Sequence, residues 1–143
     1  MFAKRVADTP WSEEKLTLLC RAAESESNKL GLPICLAVVD DAGNLVYFYR
    51  QPGALLVSIG IAQNKAYTSA VMRMSTGELA KLTVPGESLF GINTAAPRLA
   101  IFGGGFPLLL EGNLVGAIGI SGGSVEEDEQ IGRAVLEAFN SIM

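Results

Sequence analysis

Apolar residues recur along this chain with two different periods, and the switches between them outline its elements. Leu16, Leu19, Cys20, Ala23 and Leu30 follow helical spacing. Ser12 stands ahead of them as a cap, Glu13 and Glu14 fill the first turn, and Gly31 with Pro33 ends the pattern. Ile34 to Val39 is apolar on both parities, which predicts a central strand covered on both faces. Asp40-Asp41-Ala42-Gly43-Asn44 is turn chemistry, and Leu45 to Arg50, rich in Tyr and Phe, is the returning strand of a hairpin. Gln51-Pro52-Gly53 then opens a second helix, with Leu55, Ile59, Ala62, Ala66 and Ser69 as its predicted buried seam. Ser75 and Glu78 fit a capping box for a short helix running to Lys81. Thr83 to Ala96 contains Pro85, Gly86, Gly91 and Asn93 without a clean period and reads as a long ordered loop.

The remainder of the chain is organised around Arg98 to Gly123, which reads as strand, glycine loop, strand, tight turn and strand. Phe106 to Leu110 and Leu114 to Ile120 are apolar runs, and Glu111-Gly112-Asn113 joins them as a turn. Gly103, Gly104 and Gly105 free the backbone for a bulge or a left-handed bend, while Gly116 and Gly119 thin a strand face for close packing. Ser124 and Glu127 form another capping box, and Val125, Ile131, Val135, Leu136 and Phe139 carry a last helix to the C-terminus. Residues before Trp11 read as a loose arm. Strands grouped in meanders, rather than alternating singly with helices, predict an α+β fold with an antiparallel sheet.

Composition narrows the function. A chain of 143 residues is one domain with a real core, and 49% hydrophobic against 18% charged residues favours burial against a second copy. A homo-oligomer is therefore expected. The net charge of -4, without a Lys/Arg cluster, argues against nucleic acid. No apolar run reaches the ~18–20 residues of a membrane span, and no signal-peptide core follows Met1. Cys20 and Cys35 sit in apolar company and read as buried thiols of a cytoplasmic protein. Histidine is absent, which removes the commonest general base and the commonest metal ligand, and no metal site is assigned.

Each candidate chemistry has an ordinary structural counterpart. Asn64 and Thr68 stack on one helix side with Lys65 adjacent, and together they can hold a carboxylate. Alternatively Lys65 snorkels and Asn64 satisfies a loop backbone. Gly103 to Gly105 can cradle a phosphate, but no Gly-Lys-Ser/Thr follows, and a bulge or turn is favoured. Ser121-Gly122-Gly123-Ser124 precedes a helix, yet Glu126, Glu127 and Asp128 already complement its dipole, so capping is favoured over anion binding. Met72 and Met74 are read as packing residues rather than soft ligands, and Asp40 and Asp41 as turn formers.

Three segments in this order resemble one family. They are Asn64-Lys65-Ala66-Tyr67-Thr68, then Phe102-Gly103-Gly104-Gly105-Phe106-Pro107-Leu108, and finally Val115 to Gly123 followed by Asp128. Together they are similar to the GlcG/HbpS-like family, which includes the glycolate-operon GlcG proteins, a secreted haem-binding protein and the C-terminal domain of the PduO cobalamin adenosyltransferase. The resemblance covers roughly Leu16 to Phe139. It implies a five-stranded antiparallel sheet with flanking helices, profilin-like, assembled into homo-oligomers. It also implies a small-molecule or cofactor ligand, with haem or a corrinoid-related compound as the classes to consider. Members commonly carry Arg-Met-Asp-Gly after the second strand; here Gln51 and Pro52 stand between Arg50 and Gly53. The histidine that haem-binding relatives of the PduO type use has no counterpart, which leaves Tyr, Met or Cys to hold haem.

The combined expectation is a ligand groove at Arg50, Asn64, Lys65, Thr68, Gly103, Gly104 and Gly105, with no catalytic residue assigned. The alternatives are an enzyme acting on a small carboxylate or carbonyl compound with Lys65 as its polarising or basic group, and a non-catalytic partner in a diol or glycolate utilisation assembly. A half-buried Lys65 awaiting an anion carries an uncompensated desolvation cost, so Lys65→Met is expected to stabilise the free protein.

Overall fold

The computed structural model describes residues 10–143, so the arm expected before Trp11 lies, except for Pro10, outside the described residues. The first helix, α1 (Glu13–Leu30), starts where Ser12 accepts from the Lys15 amide and stops where Gly31 turns left-handed at φ 65°. β1 (Cys35–Asp40) and β2 (Leu45–Arg50) form the predicted hairpin. Asp40 Oδ1 closes its turn by accepting from the Ala42 and Asn44 amides, both at 2.9 Å. Then come α2 (Val57–Met72), α3 (Thr76–Leu82) and a single-turn helix α4 (Ile92–Ala95) inside the segment expected to be loop throughout. β3 (Gly105–Leu110), β4 (Asn113–Ser121) and α5 (Val125–Ile142) complete the chain.

The sheet order is β2-β1-β4-β3, with every neighbouring pair antiparallel. This corrects the expected five strands: the described residues form a four-stranded sheet. The missing strand is the one expected from Arg98 to Phe102. Its backbone is claimed by helix α2 instead, because Thr68 Oγ1 accepts from the Ala100 amide at 2.8 Å and Arg98 lays its guanidinium 3.7 Å from the Tyr67 ring centroid. The Ala100 amide, taken by a side chain, is no longer available to a ladder. The α+β class and the antiparallel pairing stand.

Both faces of the sheet are covered, by layers of different thickness. Leu36, Val38, Phe106, Leu108, Ile118 and Ile120 pack against Leu16, Leu19, Ile131, Val135 and Phe139 of α1 and α5. Each such side chain contributes roughly 1.5–3 kcal/mol on burial, so this thick layer holds most of the apolar stabilisation. The opposite face is built from small residues, Cys35, Ala37 and Ala117 against Ala62, Ala66 and Ala70 of α2. A Cβ on Gly119 would strike the Ala62 carbonyl, and one on Gly105 the Lys65 carbonyl. Those two glycines let α2 lie almost on the strands. Leu55, predicted to begin the α2 seam, is 63% exposed instead, because the helix starts only at Val57. Gln51, at the position where the chain departs from the family pattern, is a structural fastener. Its Oε1 accepts from the Ile34 amide at 2.8 Å and the Ser27 hydroxyl at 3.1 Å.

Candidate functional site

Because α2 sits so close to β3 and β4, the Lys65 side chain has no room to leave its helix outward and runs beneath the glycine loop. A Cβ at Gly104 would lie 2.6 Å from Lys65 Nζ and 2.7 Å from the Ile120 carbonyl, and Gly104 holds φ at 126°. Side chain and backbone geometry therefore both demand glycine at this position. Nζ ends 2.8 Å from the Ile120 carbonyl and 2.8 Å from Asp128 Oδ2, with the Phe102 ring centroid 5.2 Å away. The pair is sealed: 1% of the lysine side chain and 4% of the aspartate side chain is exposed.

Asp128 is aimed by the start of α5. Ser124 and Glu127 exchange the two bonds of a capping box, and Asp128 Oδ1 accepts from the Gly123 amide at 2.9 Å. The amides of Gly123 and Ser124 are thus both occupied by the chain's own carboxylates, and the helix terminus serves capping. Burial pushes Lys65 below the ordinary ammonium range, against the pull of Asp128. Burial likewise lifts Asp128 above the ordinary carboxylate range, against the pull of Lys65. Both shifts run toward the neutral forms, the direction that desolvation imposes.

Above the pair lies a cavity of about 170 Å³, lined by Leu55, Val57, Ser58, Ile61, Lys65, Phe102, Ser121, Gly122, Gly123, Val125 and Asp128. Its walls are apolar and its polar groups converge at the floor, where the Ser121 and Ser58 hydroxyls also bond at 3.2 Å. That is the usual grammar of a small-molecule site. A larger open hollow of about 440 Å³ runs along the outside of α1, but one helix's surface side chains line it and nothing converges there.

Of the residues expected at a groove, Lys65 lies on the cavity floor and Gly104 makes space for it. Gly103 abuts Glu129, and the Gly105 amide is taken by Thr76 Oγ1 at 2.8 Å. Thr68 spends its hydroxyl on the Asn64 carbonyl and the Ala100 amide, and Asn64 is half-buried on the same side. Arg50 is exposed at the C-terminal end of β2, in register with Cys35 and Ser121 but outside the cavity lining. The structure does not bring Arg50, Asn64 or Thr68 to the cavity. Sequence reasoning missed Asp128 as the partner of Lys65, although it falls in phase with Ile131, Val135 and Phe139 on the inner face of α5. An acid on an apolar stripe is the signal that marks it. Ser58, Phe102 and Ser121 carried no such signal.

No helix among the described residues is long and apolar enough to cross a membrane. Known proteins place the chain in a family. It is 37% identical over 125 residues to an uncharacterised 15.0 kDa protein of Citrobacter freundii from the dhaT-dhaS intergenic region, covering 87% of this chain and 88% of that one. It is 39% identical over 130 residues to the corrinoid adenosyltransferase PduO of the same organism, covering 90% of this chain but 39% of the relative, so it spans about two fifths of that protein. The crystal structure of a PduOC:heme complex superposes with a TM-score of 0.87 at 38% identity, covering 90% of this chain and 94% of the other. Residues 12–137 match the family described as haem degrading protein HbpS-like, and the chain belongs to that family.

Proposed function

We propose that this chain is a small-molecule-binding, self-associating protein whose ligand enters the cavity above Lys65 and Asp128. The observation that carries the reading is the buried ion pair, at 2.8 Å, forming the floor of an apolar-walled cavity. Protein interiors avoid such pairs unless something is gained, since desolvating both ions offsets most of their attraction. At about 170 Å³ the cavity has room for a compound displacing roughly six waters of about 30 Å³ each. A short carboxylate, carbonyl compound or diol fits that measure. A thermal-shift panel of such compounds tests the reading: a ligand at a hundred times its Kd should add about 2.7 kcal/mol. A flat response across the panel would overturn it.

Haem is the second ligand to weigh, because a related structure is a complex with it and the family is named for it. The cavity does not suit haem. It is smaller than the ~300–1,000 Å³ of ordinary ligand pockets, and no Tyr, Met, Cys or His lines it. Cys20 and Cys35 are buried in the core, where burial raises both thiols. A tetrapyrrole would have to lie on the exposed apolar rim of Leu55, Leu56, Val57 and Phe102. Haemin titration should accordingly give weak binding without a bis-histidine spectrum; a tight, six-coordinate complex would contradict this. The same rim supports self-association, which light scattering at micromolar concentration tests directly. The two free, buried thiols are consistent with a reducing, cytoplasmic setting.

A further inference from the structure

We propose that Lys65 captures small aldehydes covalently, as an imine, with Asp128 holding the proton that the reaction moves; this rests on the cavity being a ligand site. The geometry supplies each requirement. Lys65 is among the residues lining the cavity, whose apolar walls are Leu55, Ile61, Phe102 and Val125. Two acceptors, the Ile120 carbonyl and Asp128, occupy two of the three N–H donors of an ammonium, which leaves one donor for a substrate oxygen. The Ser58 and Ser121 hydroxyls stand beside the floor and can share that oxygen.

An ammonium is not a nucleophile; the free amine is. The pair is already cut off from solvent, and that desolvation favours shared-proton, neutral partners. The ammonium proton passes to Asp128 Oδ2 at 2.8 Å, and the amine lone pair attacks the aldehyde carbon. The carbonyl π pair goes to oxygen, which takes a proton from the attacking nitrogen to give a neutral carbinolamine. Loss of hydroxide, protonated to water by Asp128, leaves a carbon–nitrogen double bond. The nitrogen ends as an iminium whose single hydrogen faces the Asp128 carboxylate. Amine and aldehyde give imine and water, and no oxidant or reductant is consumed. Glu129 is the other charged group bearing on Lys65, and it is itself paired with Arg133 at 3.7 Å.

Incubation with propanal and cyanoborohydride at neutral pH, followed by peptide mapping, tests the proposal. Lys29 and Lys81 are exposed and serve as internal controls. The expected result is one propyl group per chain at Lys65, exceeding the label on Lys29 and Lys81 together. Butyrate, an unreactive occupant of similar size, should suppress the Lys65 label and leave the other two alone. Asp128→Asn should lower labelling at Lys65 several-fold without touching Lys29 or Lys81. Val57→Trp is the companion variant, because Val57 is exposed at the mouth and its replacement narrows access without entering the core. It should have the same selective effect. Labelling of Lys65 no stronger than that of the exposed lysines overturns the imine. If butyrate raises the melting temperature in that case, the cavity still binds ligands and only the covalent step is lost. If butyrate also has no effect, both readings fall.

Discussion

Lys65→Met is the most informative single substitution, because the structure reverses its expected sign. Read from sequence, a lysine awaiting an anion is a liability whose removal stabilises. The structure supplies the anion: Asp128 Oδ2 lies 2.8 Å away, and 1% and 4% of the two side chains are exposed. At that separation and an effective dielectric of about 20, the gross attraction is ~6 kcal/mol. Desolvation of the two ions offsets most of it, at several kcal/mol each. Removing one partner keeps the other's desolvation cost and forfeits the attraction. Lys65→Met should therefore cost about 3–5 kcal/mol, and Asp128→Asn a similar amount. For a chain of this size that is a fall in Tm of roughly 10–15 °C. The Lys65→Met/Asp128→Asn double variant removes both charges and should return to within about 2 kcal/mol of the parent. Urea unfolding of the four proteins closes a double-mutant cycle, whose coupling energy should be strongly non-additive. Additive losses, or a Lys65→Met protein as stable as the parent, would mean that the pair is not formed in solution.

Three further outcomes follow from the same geometry. Gly104→Val forces a β-branched residue to a φ of 126° and drives its Cβ against Lys65 Nζ and the Ile120 carbonyl, so a loss of about 3 kcal/mol or more is expected in a thermal melt. Thr68→Val keeps the shape but leaves the buried Ala100 amide without its acceptor, for a cost of about 1–3 kcal/mol by urea unfolding, with no change in ligand response. Stability against pH carries a sign from each member of the pair. Lys65 has a folded pKa below its ordinary 10.5, so the unfolded chain binds more protons in that window and its contribution rises with pH. Asp128 has a folded pKa above its ordinary 3.8, so its contribution is fully present below 3.8 and is lost as pH rises through the folded value. Relative to the double variant, the parent should be least stable between these titrations and gain on both sides; a flat difference would deny the desolvation.

Local rules carried the fold wherever one segment decides its own conformation. Ser12, Ser75 and Ser124 cap the helices they were expected to cap, and Asp40 closes the hairpin with its own carboxylate. β1 reads as doubly covered because both parities are apolar, and five of its six residues are buried. The expectation failed where a distant residue outbid the local pattern. Leu99, Ala100 and Ile101 have strand character, but the Thr68 hydroxyl, 32 positions from Ala100, takes the amide that a ladder would need. Apolar periodicity also overextended α2, since Leu55 belongs to the apolar rim of the cavity and not to the seam. Period alone cannot tell a buried face from an apolar surface that waits for a partner.

The site was half legible for a reason that applies to buried ion pairs in general. Lys65 stands out in sequence because it interrupts an apolar helix. Its partner is 63 positions away and hides among four consecutive acids, Glu126 to Glu129, at a helix start, where acids are ordinary. What separates Asp128 from Glu126 and Glu127 is angular position. Three residues before Ile131 and seven before Val135, it faces the core, and a carboxylate there requires a cation. The supply of candidates is small: of the lysines at 15, 29, 65 and 81 among the described residues, only Lys65 is buried. The glycines then become interpretable together. Gly119 and Gly105 bring α2 down onto the sheet, and Gly104 leaves the channel through which the lysine crosses to Asp128. Each glycine alone signals only a turn or a close approach. A lysine and an acid on two inward-facing helical stripes, with backbone glycines between them, specify where the charge must go.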